Sequence, residues 1–281
     1  MKKIGQTFIS GISEKPCVFL PFLGEFGIMI FRYIKFVHFF KCPKKIVMCA
    51  KEDRIFYPSA DEFVDFGSMC KRSDIYNSLE KSRYQNASDK YNQIKDIVSG
   101  IYQEFDIPLF YDEQDKDDLY SECVFNFNIG NQKQIFDVAI GSRNKGLFEY
   151  KNYNHWDHIS ECLSNEGYRV CVVGNKNFSS GIMKAFPSWS LGDDSKNSCV
   201  FLKSSKIYLG TDCGISHLAC FLQTPTILID HPNREEYRWM GEGMMKQLCK
   251  TNKSFIKRIK AWDNPDLVVE EAVRFLKKGK C

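Results

Sequence analysis

Short apolar runs, each closed by glycine or a polar turn, alternate along this chain with stretches in which apolar residues recur every three or four positions. The first kind of pattern predicts buried strands and the second amphipathic helices. In the first half, Cys17 to Leu20 reads as a strand. A Gly-rich turn, Phe22-Leu-Gly-Glu-Phe-Gly27, follows it, then a helical segment to about Phe40 and a second strand, Lys45 to Ala50. From Lys71 to Gln103 the apolar residues Ile75, Leu79, Tyr91, Ile94, Ile97 and Val98 keep helical spacing. Tyr111 to Asp118 is an acidic loop, and Ser121 to Gly130 is strand-like. The second half is more regular. It predicts strands at Ile135–Ile140, Tyr168–Val173, Ile207–Leu209 and Thr226–Ile229. Between them fall helices at about His155–Asn165, Cys199–Ser205 and Gly214–Leu222. Gly167 supplies a helix stop, and Asn264-Pro265-Asp266 opens a closing amphipathic helix, Leu267–Lys278.

Strands alternating with helices imply parallel sheets built from βαβ units. The same opening, strand then Gly turn then helix, occurs near residue 20 and near residue 140. Two Rossmann-like α/β domains follow as the expectation: residues 1–130, residues 131–264, and a closing helix at 265–281, with the boundary falling in 125–135.

Composition changes this picture little. At 281 residues, with 43% hydrophobic and 26% charged residues, the chain carries enough apolar side chains for packed cores. The net charge of +4 is spread along the chain, too weak a signal to argue for nucleic acid, so no nucleic-acid partner is expected and phosphorylated small molecules or an anionic surface stay compatible. Twelve cysteines include no Cys-x-x-Cys, and the first residues lack the apolar segment of a signal peptide. Reduced thiols and a cytoplasmic location are expected. The most apolar stretch, Cys17 to Phe40, contains Glu25, Arg32 and Lys35 and is broken by Gly24 and Gly27, so it is not expected to span a membrane. Its second half, FRYIKFVHFF, reads as a core-facing helix, with a peripheral membrane-surface contact as the alternative.

Candidate chemistry concentrates at strand ends, where open α/β sheets bind ligands. Three ends qualify: Gly141 to Lys151, Gly174-Asn175, and Gly210 to His217. At the last, Asp212-Cys213-Gly214 opens a helix whose free N–H groups and dipole favour a phosphate, with His217 one turn in. The plain alternative is a capped helix with a core histidine. Metal ligation is weighed and set aside. Asp115-Lys-Asp117 lies in a run of acids rather than after a strand, and the spacing of His155, His158 and Cys162 on one helix face arises often by chance.

The stretch Leu209 to Ile229 resembles a motif of the lipopolysaccharide heptosyltransferases and their relatives, glycosyltransferase family 9. Gly210, Asp212, Gly214, His217, Leu218, Ala219, Pro225 and Thr226 match it, and Cys213 stands where a hydroxyl residue is usual. The block from Phe136 through Arg143 and Lys151-Asn-Tyr153 to Asn175 is similar to a second family motif, with Tyr153 for Trp and Asn154 for Pro. The resemblance implies a GT-B fold, two Rossmann-like domains with a cleft between them. It implies an inverting, metal-independent glycosyltransferase that needs no cofactor beyond its nucleotide-sugar donor, with UDP, GDP or ADP equally admissible. The donor diphosphate would lie on Asp212, Cys213, Gly214, Ile215 and His217 with Arg143, Lys145 and Lys151. The nucleoside would meet Gly174, Asn175, Leu191 and Gly192. Glu25, in Gly24-Glu25 after the first strand, would take the proton of a glycan or glycolipid acceptor. A non-catalytic nucleotide or sugar-phosphate binding module of the same fold is the alternative. A Rossmann oxidoreductase is disfavoured because no Gly-x-Gly-x-x-Gly follows the first strand.

Overall fold

The computed structural model describes residues 11–22, 29–65, 85–109, 129, 133–142, 152–173, 188–189, 195–231 and 256–278. The chain divides into two units, Met1–Leu119 and Tyr120–Cys281.

In the first unit, β1 (Cys17–Phe19), β2 (Lys45–Cys49) and β3 (Glu62–Asp65) form a parallel sheet in the order β1-β2-β3. The segment at Asp106 adds a parallel bridge on the free edge of β1, through Val18 N–H to the Asp106 carbonyl (2.9 Å). A π-helical turn, Met29–Tyr33, runs into α1 (Ile34–Phe39), and a 3-10 turn, Lys51–Phe56, follows β2. Alternation divides the strand residues between two covered faces. Val18, Leu20, Ile46 and Met48 pack on Ile94 and Val98 of α2 (Gln85–Ile101). Phe19 points the other way and meets Phe36 and Phe40 edge-on at 5.8 and 5.5 Å. Ile34, Lys35, Phe36 and Val37 are buried, so α1 faces the core as its sequence predicts. The Lys45 ammonium is buried too, and donates to the Val37 and His38 carbonyls (2.9 and 2.7 Å), completing the carbonyl end of α1.

The second unit holds β4 (Phe136–Gly141), α3 (Trp156–Asn165), β5 (Val170–Val173), β6 (Ser188–Trp189) and α4 (Ser195–Lys203). It continues with β7 (Ser205–Gly210), α5 (Gly214–Phe221), β8 (Thr226–Ile229), β9 (Ile256–Ile259) and α6 (Pro265–Lys278). Its six strands are parallel, in the order β6-β5-β4-β7-β8-β9. Numbered within the unit this is 3-2-1-4-5-6, the doubly wound Rossmann order. Val138, Ile140, Ile207 and Leu209 face a cluster with Trp156, Ile159, Leu163, Val268 and Ala272 from α3 and α6. α3 stops where its sequence predicts. Gly167 takes φ +84°, and the Tyr168 and Gly167 N–H groups return to the Leu163 and Ser164 carbonyls (3.0 and 2.9 Å), a Schellman closure.

At the N-terminal end of this sheet Asp137 ties three strands together. Its carboxylate accepts from Lys206 Nζ (2.8 Å), the Arg169 N–H (2.8 Å) and Arg169 Nε (3.3 Å). Burial alone would raise this carboxyl, but the Lys206 and Arg169 donors together hold it below the ordinary carboxylate value. A depressed folded pKa contributes stability that is present above the unfolded value of ~3.9 and lost as pH falls through the folded one. We expect Asp137→Ala to cost about 2 kcal/mol at neutral pH, a typical loss for charged hydrogen bonds. The gap between variant and wild type in urea midpoint should close below pH 3.9, the unfolded carboxyl's approximate pKa. A gap that persists unchanged at pH 2 to 3 would assign the cost to packing instead.

Eight described cysteines, including Cys171, Cys199, Cys213 and Cys220, form no disulfide. No described helix is long and apolar enough to cross a membrane. The remaining predicted elements (the Phe22–Gly27 turn beyond Phe22, the start of the helical stretch at 71–84, the acidic loop, and 121–130 apart from Ile129) lie outside the described residues.

Candidate functional site

In a doubly wound sheet the helices after the first and fourth strands leave on opposite faces, which opens a crevice at the carboxyl ends of those strands. Here these are β4 and β7, adjacent and in register, with Gly141 opposite Gly210 at their ends. The chain leaves β7 through Thr211 and Asp212, and α5 begins at Gly214. Topology therefore puts the start of α5 at the switch point of the sheet.

Cys213, not Asp212, is the N-cap residue. It is extended (φ −155°, ψ 170°), and its side chain makes no capping hydrogen bond. The first helical bond is His217 N–H to the Cys213 carbonyl (3.1 Å), so the N–H groups of Gly214, Ile215 and Ser216 precede the helical ladder. Serine or threonine at this position would turn its hydroxyl back onto one of them. Cysteine is a weak hydrogen-bonding group, and its Sγ lies 3.4 Å from Ser216 Oγ and 4.0 Å from Tyr208 Oη instead. The helix start is thus left uncapped by its own side chain.

Asp212 reaches over the turn to His217, with Oδ1 3.0 Å from Nε2. The imidazole is buried and the carboxylate about a third exposed. Asp212 thereby anchors the ring and fixes which nitrogen faces it. A neighbouring pair closes the same end of the sheet. Arg258 on β9 grips Asp230, at the end of β8, through Nε (3.1 Å) and Nη2 (2.8 Å). Burial pushes the Asp230 carboxyl up; the Arg258 fork opposes the rise, and the Asp212 charge adds to it. Two carboxylates, a histidine and an arginine therefore share one electrostatic neighbourhood beside the helix start.

The two strand-end glycines have a steric reason. Tyr208, two residues before Gly210 on the same sheet face, is fully buried, and its ring lies across both glycines. A Cβ at Gly210 would approach the ring carbon Cζ to 2.7 Å, and one at Gly141 would overlap the phenol oxygen. The motif pattern predicts Gly210 but not the tyrosine that requires it.

Of the residues expected from sequence, the structure brings together Asp212, Cys213, Gly214, Ile215 and His217. Arg143, Lys145, Lys151, Gly174, Asn175, Leu191, Gly192 and Glu25 lie outside the described residues. Tyr208, Ser216, Asp230 and Arg258 were not predicted. A tyrosine inside an apolar strand and the short Ile256-Lys-Arg-Ile259, two isoleucines around two cations, are the only sequence signals they leave. The His158 and Cys162 expected on one helix face are neighbours (3.7 Å), but His158 Nε2 also engages Asp266 of α6 at 2.7 Å. Among the described residues no group of three or more His, Cys, Asp or Glu side chains is placed to hold a metal ion.

No family model and no curated protein matches the sequence. Solved structures do. The chain is similar to the E. coli ADP-heptose lipopolysaccharide heptosyltransferase II, with a TM-score of 0.52 at 13% identity over 94% of this chain and 99% of that one. It is also similar to the dodecameric iron-containing heptosyltransferase TibC, of enterotoxigenic E. coli, solved with ADP-D-β-D-heptose. There the TM-score is 0.50 at 13% identity, over 95% of this chain and 78% of that one. At such identity the likeness establishes the architecture. The chain has the GT-B fold, the architecture of these solved structures.

Proposed function

We propose that the chain is a glycosyltransferase that moves a sugar from a nucleoside-diphosphate sugar to a hydroxyl of a glycan or glycolipid, with inversion and without a metal ion. The observation that carries this reading is the uncapped start of α5 at the switch point of the sheet, flanked by the Asp212–His217 pair. Helix N-termini at such points favour phosphate groups. The likeness in fold to a heptosyltransferase solved with ADP-heptose supports it.

In this mechanism the acceptor hydroxyl attacks the anomeric carbon as Glu25 takes its proton. The bond from that carbon to the diphosphate oxygen breaks, and the nucleoside diphosphate leaves with the electron pair. Backbone N–H groups of Gly214, Ile215 and Ser216 receive the charge that develops on the diphosphate. Arg143, Lys145 and Lys151 are the cations we assign to the same group, and His217 lies beside it. Gly174, Asn175, Leu191 and Gly192 are assigned to the nucleoside. The reading places the protein in the cytoplasm.

A thermal-shift panel of ADP, UDP, GDP and their sugars should raise the melting temperature with one base preferred. His217→Ala removes the ring that holds Asp212 over the turn, and should then weaken binding of the preferred diphosphate about tenfold. Donor hydrolysis should survive EDTA, and its abolition by chelator would remove the metal-free part of the proposal. Donor binding with no transfer to any of a broad set of acceptors would leave a binding module of the same fold.

A further inference from the structure

Tyr208 raises a question that core packing does not answer. Phenylalanine would fill the same volume over Gly141 and Gly210 without burying a hydroxyl, and an unsatisfied hydroxyl in a fully buried position is costly. The hydroxyl is satisfied in a particular direction. Tyr208 Oη lies 3.0 Å from Ser216 Oγ, and the Ser216 hydroxyl donates to the Thr211 carbonyl. With that proton committed, Ser216 Oγ accepts from the phenol. Burial pushes the phenol's pKa well above its ordinary value, so the proton it donates stays in place. The Cys213 thiol closes the group.

The chain of donors runs from the middle of β7, through the third residue of α5, to the peptide by which the chain leaves the strand. Each end belongs to a different part of the turn. Holding them together fixes the angle between the strand end and the helix start, and with it the direction of the Gly214, Ile215 and Ser216 N–H groups. Both hydroxyl-bearing residues are fully buried, on the inner side of the turn.

We infer that Tyr208 and Ser216 are positioning residues for the diphosphate: their paired hydroxyls hold Thr211–Gly214 in the shape that receives it, from behind and without touching it. The inference rests on the glycosyltransferase reading above. It also gives Cys213 a place. The thiol that stands where a hydroxyl is expected packs onto this pair, and the ligand side of the turn is left to backbone N–H groups.

The test uses the full chain and whichever of ADP, UDP and GDP the wild type binds best, by calorimetric titration well below the melting temperature. Tyr208→Phe keeps the ring and removes the donor. Its dissociation constant should rise about tenfold, as should that of Ser216→Ala, and the double variant should lose little more than either alone, because both break one chain. At saturating ligand the 31P resonances of the bound diphosphate should move in both single variants, a change that lower stability alone does not produce. If Tyr208→Phe fails to fold, Ser216→Ala carries the same two readouts. A wild type that binds none of the three nucleotides overturns the glycosyltransferase reading and this inference with it. A wild type that binds, with both variants within about twofold of it, overturns this inference alone. Additive losses with unmoved 31P resonances overturn it as well.

Discussion

Gly141→Ala is expected to destabilise the second unit by about 3 kcal/mol or more, at the upper end of what one added methylene costs in a packed core. The sign is what makes the prediction diagnostic. Within a strand, glycine is ordinarily the weaker residue, and replacing it by alanine reduces the entropy of the unfolded chain. Here the new methyl would overlap the Tyr208 phenol oxygen and lie 2.7 Å from Cζ. The ring cannot swing away, because its hydroxyl is tied to Ser216 and its edge also crosses Gly210. Nor can the strand, because β4 is central and paired on both sides. Shortening the tyrosine should relieve the clash, so Gly141→Ala with Tyr208→Leu should recover much of the loss. Urea midpoints of the two single variants and the double variant measure this. A neutral Gly141→Ala would show that the ring does not lie over the strand ends.

Glu25→Gln is expected to lower the turnover of sugar transfer by about 10² to 10⁴, the range that general-base removal produces. The amide keeps the size of the carboxylate but cannot take the acceptor proton. The affinity for nucleoside diphosphate, which the proposed mechanism assigns to other residues, should stay within about twofold. That split distinguishes a base from a residue that merely supports the fold. Glu25 lies beyond the end of β1, in the stretch from residue 23 to 28, so its assignment rests on Gly24-Glu25 following an observed strand. Unchanged turnover would remove Glu25 from the mechanism.

How much of this was legible beforehand depends on how local the signal is. Runs such as Cys17–Leu20 and Lys45–Ala50 announce strands covered on both faces, because two layers of helix leave no polar alternation to read. Edge strands gave less. Glu62–Asp65 is largely exposed, and Ile256–Ile259 sets two cations side by side between its isoleucines with no period-2 alternation, so neither was predicted, and β6 is a two-residue pairing. The loops expected to carry Arg143, Lys145, Lys151 and the nucleoside contacts are assigned from motif position alone.

The turn at Asp212–His217 divides most instructively. By itself the sequence determined that a strand ends at Leu209, just before Gly210, that a helix begins at Gly214, and that an acid and a histidine lie close enough along the chain to meet. These follow from local spacing and backbone preference. Only the tertiary structure decided that Gly210 lies opposite Gly141, that one tyrosine ring requires both glycines, and that the Cys213 thiol turns inward while the helix start stays uncapped. It alone paired Asp230 with Arg258, 28 residues apart. Strand register and ring placement come from packing between segments distant in sequence, and a periodicity that records which face is buried carries no record of what it is buried against.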